Sequence, residues 1–120
     1  MNRGGWIGVD LDGTLAEYHG WQGELHIGAP IRPMVERVKD WLARGIEVRV
    51  FTARVCEGVA GDQARATPEQ IAAAIHDWTE LHIGQALVVT NKKDFGMVEL
   101  WDDRAVRVIP NTGVPCCGSR

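Results

Sequence analysis

The chain has 120 residues, a formal net charge of −3 and 45% hydrophobic residues, which is enough for one domain with a buried core. The acidic balance provides no basic surface for nucleic acid, and no apolar run approaches the ~20 residues that cross a membrane. Three cysteines without CxxC spacing, and an N-terminus without a secretory signal pattern, predict free thiols and a cytoplasmic location.

The first predicted element is a short buried strand over residues 6–9, which ends in the sequence Asp10-Leu11-Asp12-Gly13-Thr14. Two carboxylates one residue apart therefore lie where the strand ends and the chain turns. Negative charge is costly at such a place unless a cation or a reacting electrophile shares it. Asp12 and Gly13 alone would form a common turn, but Asp10 interrupts the apolar run from inside, which favours a functional site.

The next elements alternate between helix and strand. Glycines and aromatic residues without helical spacing predict a loop or a small hairpin over 15–29, and apolar residues three and four apart predict a helix over 31–44. A strand over 46–51 and a loop over 53–66 follow. Thr67-Pro68-Glu69-Gln70 is typical of a helix start, and Gly84 is expected to end that helix.

Three short strands are predicted after this helix, over 86–89, 97–101 and 105–109. The alternation of strands and helices predicts an α/β domain with three layers, in which helices pack on a central, mostly parallel sheet. In such sheets, ligands bind beyond the carboxyl ends of the strands.

Polar side chains follow four of the predicted strands. The first strand delivers Asp10 and Asp12, the second delivers Thr52 with Ala53 and Arg54 behind it, the third is followed by Lys92 and Lys93, and the fourth delivers Asp102 and Asp103. Hard carboxylate oxygens suit Mg²⁺, and a lysine and a hydroxyl can hold phosphate oxygens. One carboxylate is then left to attack phosphorus.

The chain resembles the haloacid dehalogenase (HAD) superfamily, whose members are mainly phosphatases, over about residues 5–110. The resemblance rests on four motifs in order. Asp10-Leu11-Asp12-Gly13-Thr14 matches the first, Phe51-Thr52-Ala53-Arg54 the second, Lys92 or Lys93 the third, and Leu100-Trp101-Asp102-Asp103 the fourth. The resemblance implies a Rossmann-like fold and a Mg²⁺-dependent phosphohydrolase that acts on phosphomonoesters through an aspartyl-phosphate.

The resemblance also implies a role for each acidic residue. Asp10 would be the nucleophile, and Asp12 would protonate the leaving oxygen and later deprotonate the attacking water. Mg²⁺ would be held by Asp10, by the backbone carbonyl of Asp12 and by Asp102, with Asp103 acting directly or through water.

The phosphoryl group would be held by residues of the second and third motifs. Thr52 would donate to a phosphoryl oxygen, assisted by backbone N–H groups near Leu11 and Ala53, and a lysine would offset charge repulsion. Lys93 is favoured over Lys92 because it lies nearer the acidic pair in sequence. Arg54 either contacts the substrate or forms a surface salt bridge.

The segments in which HAD enzymes insert a cap domain are short here, which predicts one catalytic domain over 1–110 without a cap and a C-terminal tail over 111–120. An open site needs another cover, so we expect either a neighbouring subunit of a homo-oligomer or a large substrate. The phosphorylated substrate is thus a small molecule or a macromolecular end, including a nucleic-acid end, with no membrane partner. The alternative of another class is a non-catalytic phosphate- or metal-binding module on this fold.

Overall fold

The computed structural model describes residues 4–56 and 66–117, so residues 57–65 of the predicted loop lie outside the described residues. The described elements follow the predicted order as far as residue 101. They are β1 (Trp6–Val9), α1 (Arg32–Ala43), β2 (Glu47–Phe51), a single 3-10 turn (Ala53–Val55), α2 (Pro68–Ile83), β3 (Val88–Thr90) and β4 (Met97–Trp101). Residues 15–29 form neither helix nor strand, as predicted.

The four strands form one parallel sheet in the order β3-β2-β1-β4. At its centre, Val9 of β1 pairs with Val50 of β2 on one side and with Trp101 of β4 on the other. The predicted α/β class and parallel sheet are confirmed, and the topology is consistent with a Rossmann-like three-layer fold. Because all four strands run in the same direction, their carboxyl ends lie along one edge of the sheet.

Both helices begin and end close to the predicted residues. In α2, the hydroxyl of Thr67 accepts from the Gln70 N–H (3.1 Å), and the Gln70 side chain accepts from the Thr67 N–H (2.9 Å), which completes the predicted capping box. Gly84 ends this helix with a φ of 106°, a left-handed conformation that glycine adopts without steric cost. Neither described helix is long and apolar enough to cross a membrane.

The hydrophobic core lies between the two helices and one face of the sheet. The strand residues in it alternate along β1 and β2, so they share that face: Ile7, Val9, Val48 and Val50. The helices bury most of the apolar residues predicted from their spacing: Met34, Val35, Val38 and Trp41 in α1, and Ile71, Ile75 and Trp78 in α2. At the end of α2, Ile83 is buried instead of the expected Leu81 or His82, and Leu81 is 78% exposed. This packing fixes the sheet, and with it the positions of the strand ends.

The opposite face of the sheet is organised around Trp6, which is fully buried. Its indole Nε1 donates to the Asp94 carboxylate (2.8 Å), and the Arg49 guanidinium lies 4.5 Å from the centroid of its ring. Gly8 leaves room for the indole, because a Cβ there would lie 3.1 Å from a ring carbon of Trp6. This face is partly open to solvent, because Leu100, which pairs with Gly8, and Val88, which pairs with Arg49, are 37% and 53% exposed.

The fifth strand predicted over 105–109 is wrong. Val108 instead forms an isolated antiparallel bridge with Pro115, and the Ile109 N–H donates to the Val114 carbonyl (2.8 Å). The β-branched residues do favour an extended chain, but Asn111 turns it back with a φ of 68°, so they pair locally instead of joining the sheet. The predicted tail over 111–120 thus begins inside the turn of a small exposed hairpin.

Candidate functional site

A cavity of about 540 Å³ lies at the carboxyl edge of the sheet. Asp10 directly follows β1, Thr52 follows β2 and Asp102 follows β4, and all three line the cavity. The parallel register therefore brings together side chains that are more than 40 residues apart in sequence. Of the other predicted residues, Asp12, Ala53, Arg54 and Asp103 also line it.

Three carboxylates that line this cavity form an acidic cluster. One side-chain oxygen from each of Asp10, Asp102 and Asp103 lies within 4.8 Å of the others. Burial, the negative charge of Asp102, and a hydrogen bond to Asp103 together with its charge raise the pKa of Asp10 from its ordinary value of 3.8 to about 7. A bound cation would relieve this repulsion, and the donors are hard oxygens of the kind that Mg²⁺ prefers.

Gly13 and Thr14 join the first motif to the acidic pair after β4. Gly13 has a φ of 90°, and a Cβ there would lie 2.5 Å from a carboxylate oxygen of Asp103. The Thr14 hydroxyl donates to the Asp103 carboxylate (3.2 Å) and accepts from the Asp103 N–H (3.0 Å). These two residues therefore determine how closely Asp103 can approach Asp10.

Thr52 is buried at the floor of the cavity, with only 3% of its surface exposed. Its N–H donates to the Thr90 carbonyl (2.9 Å), which fixes it to the neighbouring strand, and its hydroxyl accepts from the Arg54 N–H (3.1 Å). Since the hydroxyl oxygen accepts this bond, the hydroxyl hydrogen can be donated to an anion in the cavity. The exposed Ala53 lies beside it at the rim.

Arg54 was expected either to contact the substrate or to form a surface salt bridge. A surface salt bridge is wrong, because the side chain is 5% exposed and forms a buried ion pair. Its Nε and one terminal nitrogen donate to the two oxygens of Asp12 at 2.8 and 2.7 Å, a bidentate pair. Its other terminal nitrogen donates to the carbonyls of Glu24 (3.0 Å) and His26 (2.7 Å).

The two predicted lysines are not brought to the cavity. Lys92 and Lys93 are exposed in the loop after β3, and neither lines the cavity. Among the residues of 4–56 and 66–117 that line it, the cationic side chains are Arg54 and Arg104. The phosphate-binding role of either lysine stays a prediction.

Comparison with known proteins gives a structural relative. No protein-family model and no curated protein matches this sequence. A solved structure of a conserved protein from Bacteroides thetaiotaomicron is similar at 24% sequence identity, over 91% of this chain and 84% of that chain, with a TM-score of 0.56. At this identity the similarity supports the α/β fold and does not indicate an activity.

Five further residues line the cavity, and three of them are aromatic. The aromatic residues are Tyr18, Trp21 and Phe51, and the others are Glu24 and Arg104. The Arg54 guanidinium lies 5.1 Å from the centroid of the Trp21 ring, within the range of a cation–π contact. A signal was available, because Trp21 lies in a loop between Gly20 and Gly23 where no core-forming pattern accounts for a tryptophan.

Proposed function

We propose that the protein is a Mg²⁺-dependent phosphohydrolase that cleaves phosphomonoesters through an aspartyl-phosphate on Asp10. The observation that carries the proposal is the meeting of Asp10, Asp102 and Asp103 beside the buried hydroxyl of Thr52, at the carboxyl ends of parallel strands. The first, second and fourth HAD-like motifs provide these residues in order along the chain.

The acidic cluster fits the metal that this chemistry requires. Three hard carboxylate oxygens lie within 4.8 Å of one another, and burial together with the negative charges of Asp102 and Asp103 raises the pKa of Asp10. Asp10, Asp102 and Asp103, with the backbone carbonyl of Asp12, would hold Mg²⁺. When bound, Mg²⁺ would neutralise phosphoryl charge and favour the ionised form of Asp10.

In the first chemical step, a carboxylate oxygen of Asp10 attacks phosphorus and the bond from phosphorus to the leaving oxygen breaks. Asp12 gives its proton to that oxygen, and Thr52 donates a hydrogen bond to a phosphoryl oxygen. In the second step, Asp12 takes a proton from water, and the water oxygen displaces Asp10 from phosphorus. Inorganic phosphate and the original carboxylate result, so Asp10 is regenerated.

The ion pair with Arg54 limits how Asp12 can do this. Each oxygen of Asp12 accepts one bond from Arg54, and each oxygen keeps a second lone pair for the transferred proton. The leaving oxygen and the water must therefore approach the lone pairs of Asp12 that Arg54 does not occupy. Arg54 acts here as a positioning residue, since it holds the carboxylate in one orientation.

The same ion pair favours a second candidate function, a non-catalytic phosphate- or metal-binding module. Both oxygens of the proposed acid and base are engaged by a buried guanidinium, and neither lysine lines the cavity. A binding module needs the acidic cluster and Thr52 but has no use for proton transfer at Asp12. Measured turnover separates the two functions.

The test is a phosphate-release assay on a panel of sugar phosphates, nucleotides and phosphorylated oligonucleotide ends, with and without Mg²⁺. We expect turnover of at least one phosphomonoester, its loss on chelation of the metal, and its loss in Asp10→Asn. Asp40→Asn is the matched control, because Asp40 pairs with Arg44 on the exposed surface of α1. Full activity in Asp10→Asn would refute the aspartyl-phosphate, and no turnover on the whole panel would favour the binding module.

A further inference from the structure

The candidate cavity is lined by two chemically different groups of side chains. The carboxylates of the acidic cluster and the Thr52 hydroxyl form one group, and the rings of Tyr18, Trp21 and Phe51, here called the wall, form the other. A phosphomonoester bound with its phosphate at the acidic cluster would have its leaving group in the same cavity as these rings. The wall therefore bears on which leaving group the cavity accepts.

Trp21 is the most exposed member of this wall, with 57% of its surface accessible. A large exposed ring on a loop would ordinarily adopt many orientations, but here the buried Arg54 guanidinium lies 5.1 Å from its centroid. The same guanidinium donates to the Glu24 and His26 carbonyls, so it anchors the loop that carries the ring. The loop is also tied at its base, where the Glu17 N–H donates to the Ala29 carbonyl (2.8 Å).

The wall adds apolar area to a cavity whose other lining side chains are mostly charged. Glu24 also lines the cavity, and one oxygen of that carboxylate accepts from the Ala66 N–H (2.7 Å). A flat aromatic ring in the leaving group would bury apolar area and stack on the held indole.

We propose that this site selects phosphomonoesters whose leaving group carries a flat aromatic ring, which stacks on Trp21. This inference rests on the proposed function, because it assigns the substrate class of the same cavity. Nucleoside monophosphates and benzyl-type phosphates belong to the class. Trp21 is on this proposal a specificity residue, and the hydrolytic steps at Asp10 and Asp12 do not use it.

The test compares two phosphates whose leaving groups carry a flat or a puckered six-membered ring. Benzyl phosphate and cyclohexylmethyl phosphate both leave as primary alcohols, and the second is the more apolar, so a preference for the first that depends on Trp21 reports stacking. We expect the wild-type protein with Mg²⁺ to show a kcat/KM roughly tenfold higher for benzyl phosphate, the lower range for stacking on an aromatic side chain. Trp21→Leu is expected to remove this preference, and Trp21→Phe to keep most of it.

The matched control is Phe95→Leu, which removes a fully exposed aromatic ring that does not line the cavity. It should leave both kcat/KM values unchanged. Trp21→Leu should lower the value for benzyl phosphate more than the value for cyclohexylmethyl phosphate, since only the flat ring stacks on the indole. Equal wild-type values for the two substrates, or an equal fall of both in Trp21→Leu, would overturn the inference while leaving the phosphohydrolase intact.

Failure of the proposed function gives a different result. If neither phosphate is hydrolysed, titration calorimetry with benzylphosphonate and cyclohexylmethylphosphonate in the presence of Mg²⁺ still shows whether the cavity binds a flat ring more tightly. Tighter binding of benzylphosphonate by about tenfold, abolished in Trp21→Leu, would support aromatic selection by a binding module. Equal affinities of the two phosphonates would overturn it.

Discussion

Replacing Asp10 with asparagine removes one negative charge from the acidic cluster while nearly preserving the volume of the side chain. In the metal-free protein, the pKa of Asp10 is about 7, whereas in the unfolded chain it is 3.8. The folded protein therefore binds more protons than the unfolded chain between these values, and its free energy of unfolding falls as the pH rises through this window. The stabilising contribution that Asp10 makes to the free energy of unfolding is fully present below pH 3.8 and is lost as the pH rises through about 7.

The size of this effect follows from the shift. A shift of about three pKa units corresponds to ~4 kcal/mol, and solvent screening of the partly buried carboxylate reduces it to roughly 2 kcal/mol. For a domain of 120 residues, this equals about 8 °C in melting temperature. We therefore expect metal-free Asp10→Asn to melt about 8 °C above the wild type at pH 8 and close to it at pH 4.

The assay is thermal unfolding followed by circular dichroism from pH 4 to 8, with EDTA or with millimolar Mg²⁺. Mg²⁺ should raise the melting temperature of the wild type and have little effect on Asp10→Asn, because a ligand of the metal is lost. Asp94→Asn is the matched control, since hydrogen bonds from Trp6 and Gly96 lower the pKa of Asp94. Above pH 4, Asp94→Asn should melt below the wild type, whereas Asp10→Asn should melt above it. The reasoning is refuted if metal-free Asp10→Asn melts no higher than the wild type at pH 8.

Two further predictions concern the supports of the site. Arg54→Met leaves the Asp12 carboxylate buried without its partner, so urea unfolding should show a loss of about 3 kcal/mol, and a double variant with Asp12→Leu should recover part of it. Gly13→Ala should unfold more easily than Gly45→Ala. Both glycines have a positive φ, but only at Gly13 would a Cβ lie against a carboxylate. The melting temperature of Gly13→Ala should also no longer rise with Mg²⁺. Equal effects of the two glycine substitutions would show that backbone strain alone explains the loss.

The elements that local patterns specify could be predicted from the sequence. The apolar stripes of the two helices, the capping residues of α2 and the buried β1 are each encoded within a few neighbouring residues. The segment 105–109 has an equally good strand pattern, yet strand pairing depends on which backbone is in reach. The turn at Asn111 brings Pro115 within reach of Val108, and no local pattern before that turn indicates it.

The acidic cluster could also be predicted, because the rule that parallel strands end at one edge needs only the strand assignments. The environment of Arg54 could not, since whether its side chain is buried depends on the loop that folds over it from residues 24 and 26. The lysines failed to reach the cavity for a related reason. They follow a strand of only three residues, and sequence order does not set the direction in which the next loop leaves it.

Besides its contact with the Trp21 ring, Arg54 donates hydrogen bonds to two main-chain carbonyl oxygens of the loop. Carbonyl oxygens are the same whatever amino acid carries them, so most replacements at positions 24 and 26 would leave these two bonds in place. The loop that presents Trp21 can thus change its chemistry while its anchor persists. This arrangement makes residues 18–24 a natural segment to randomise in a library aimed at new ligands, with Asp12 and Arg54 kept constant.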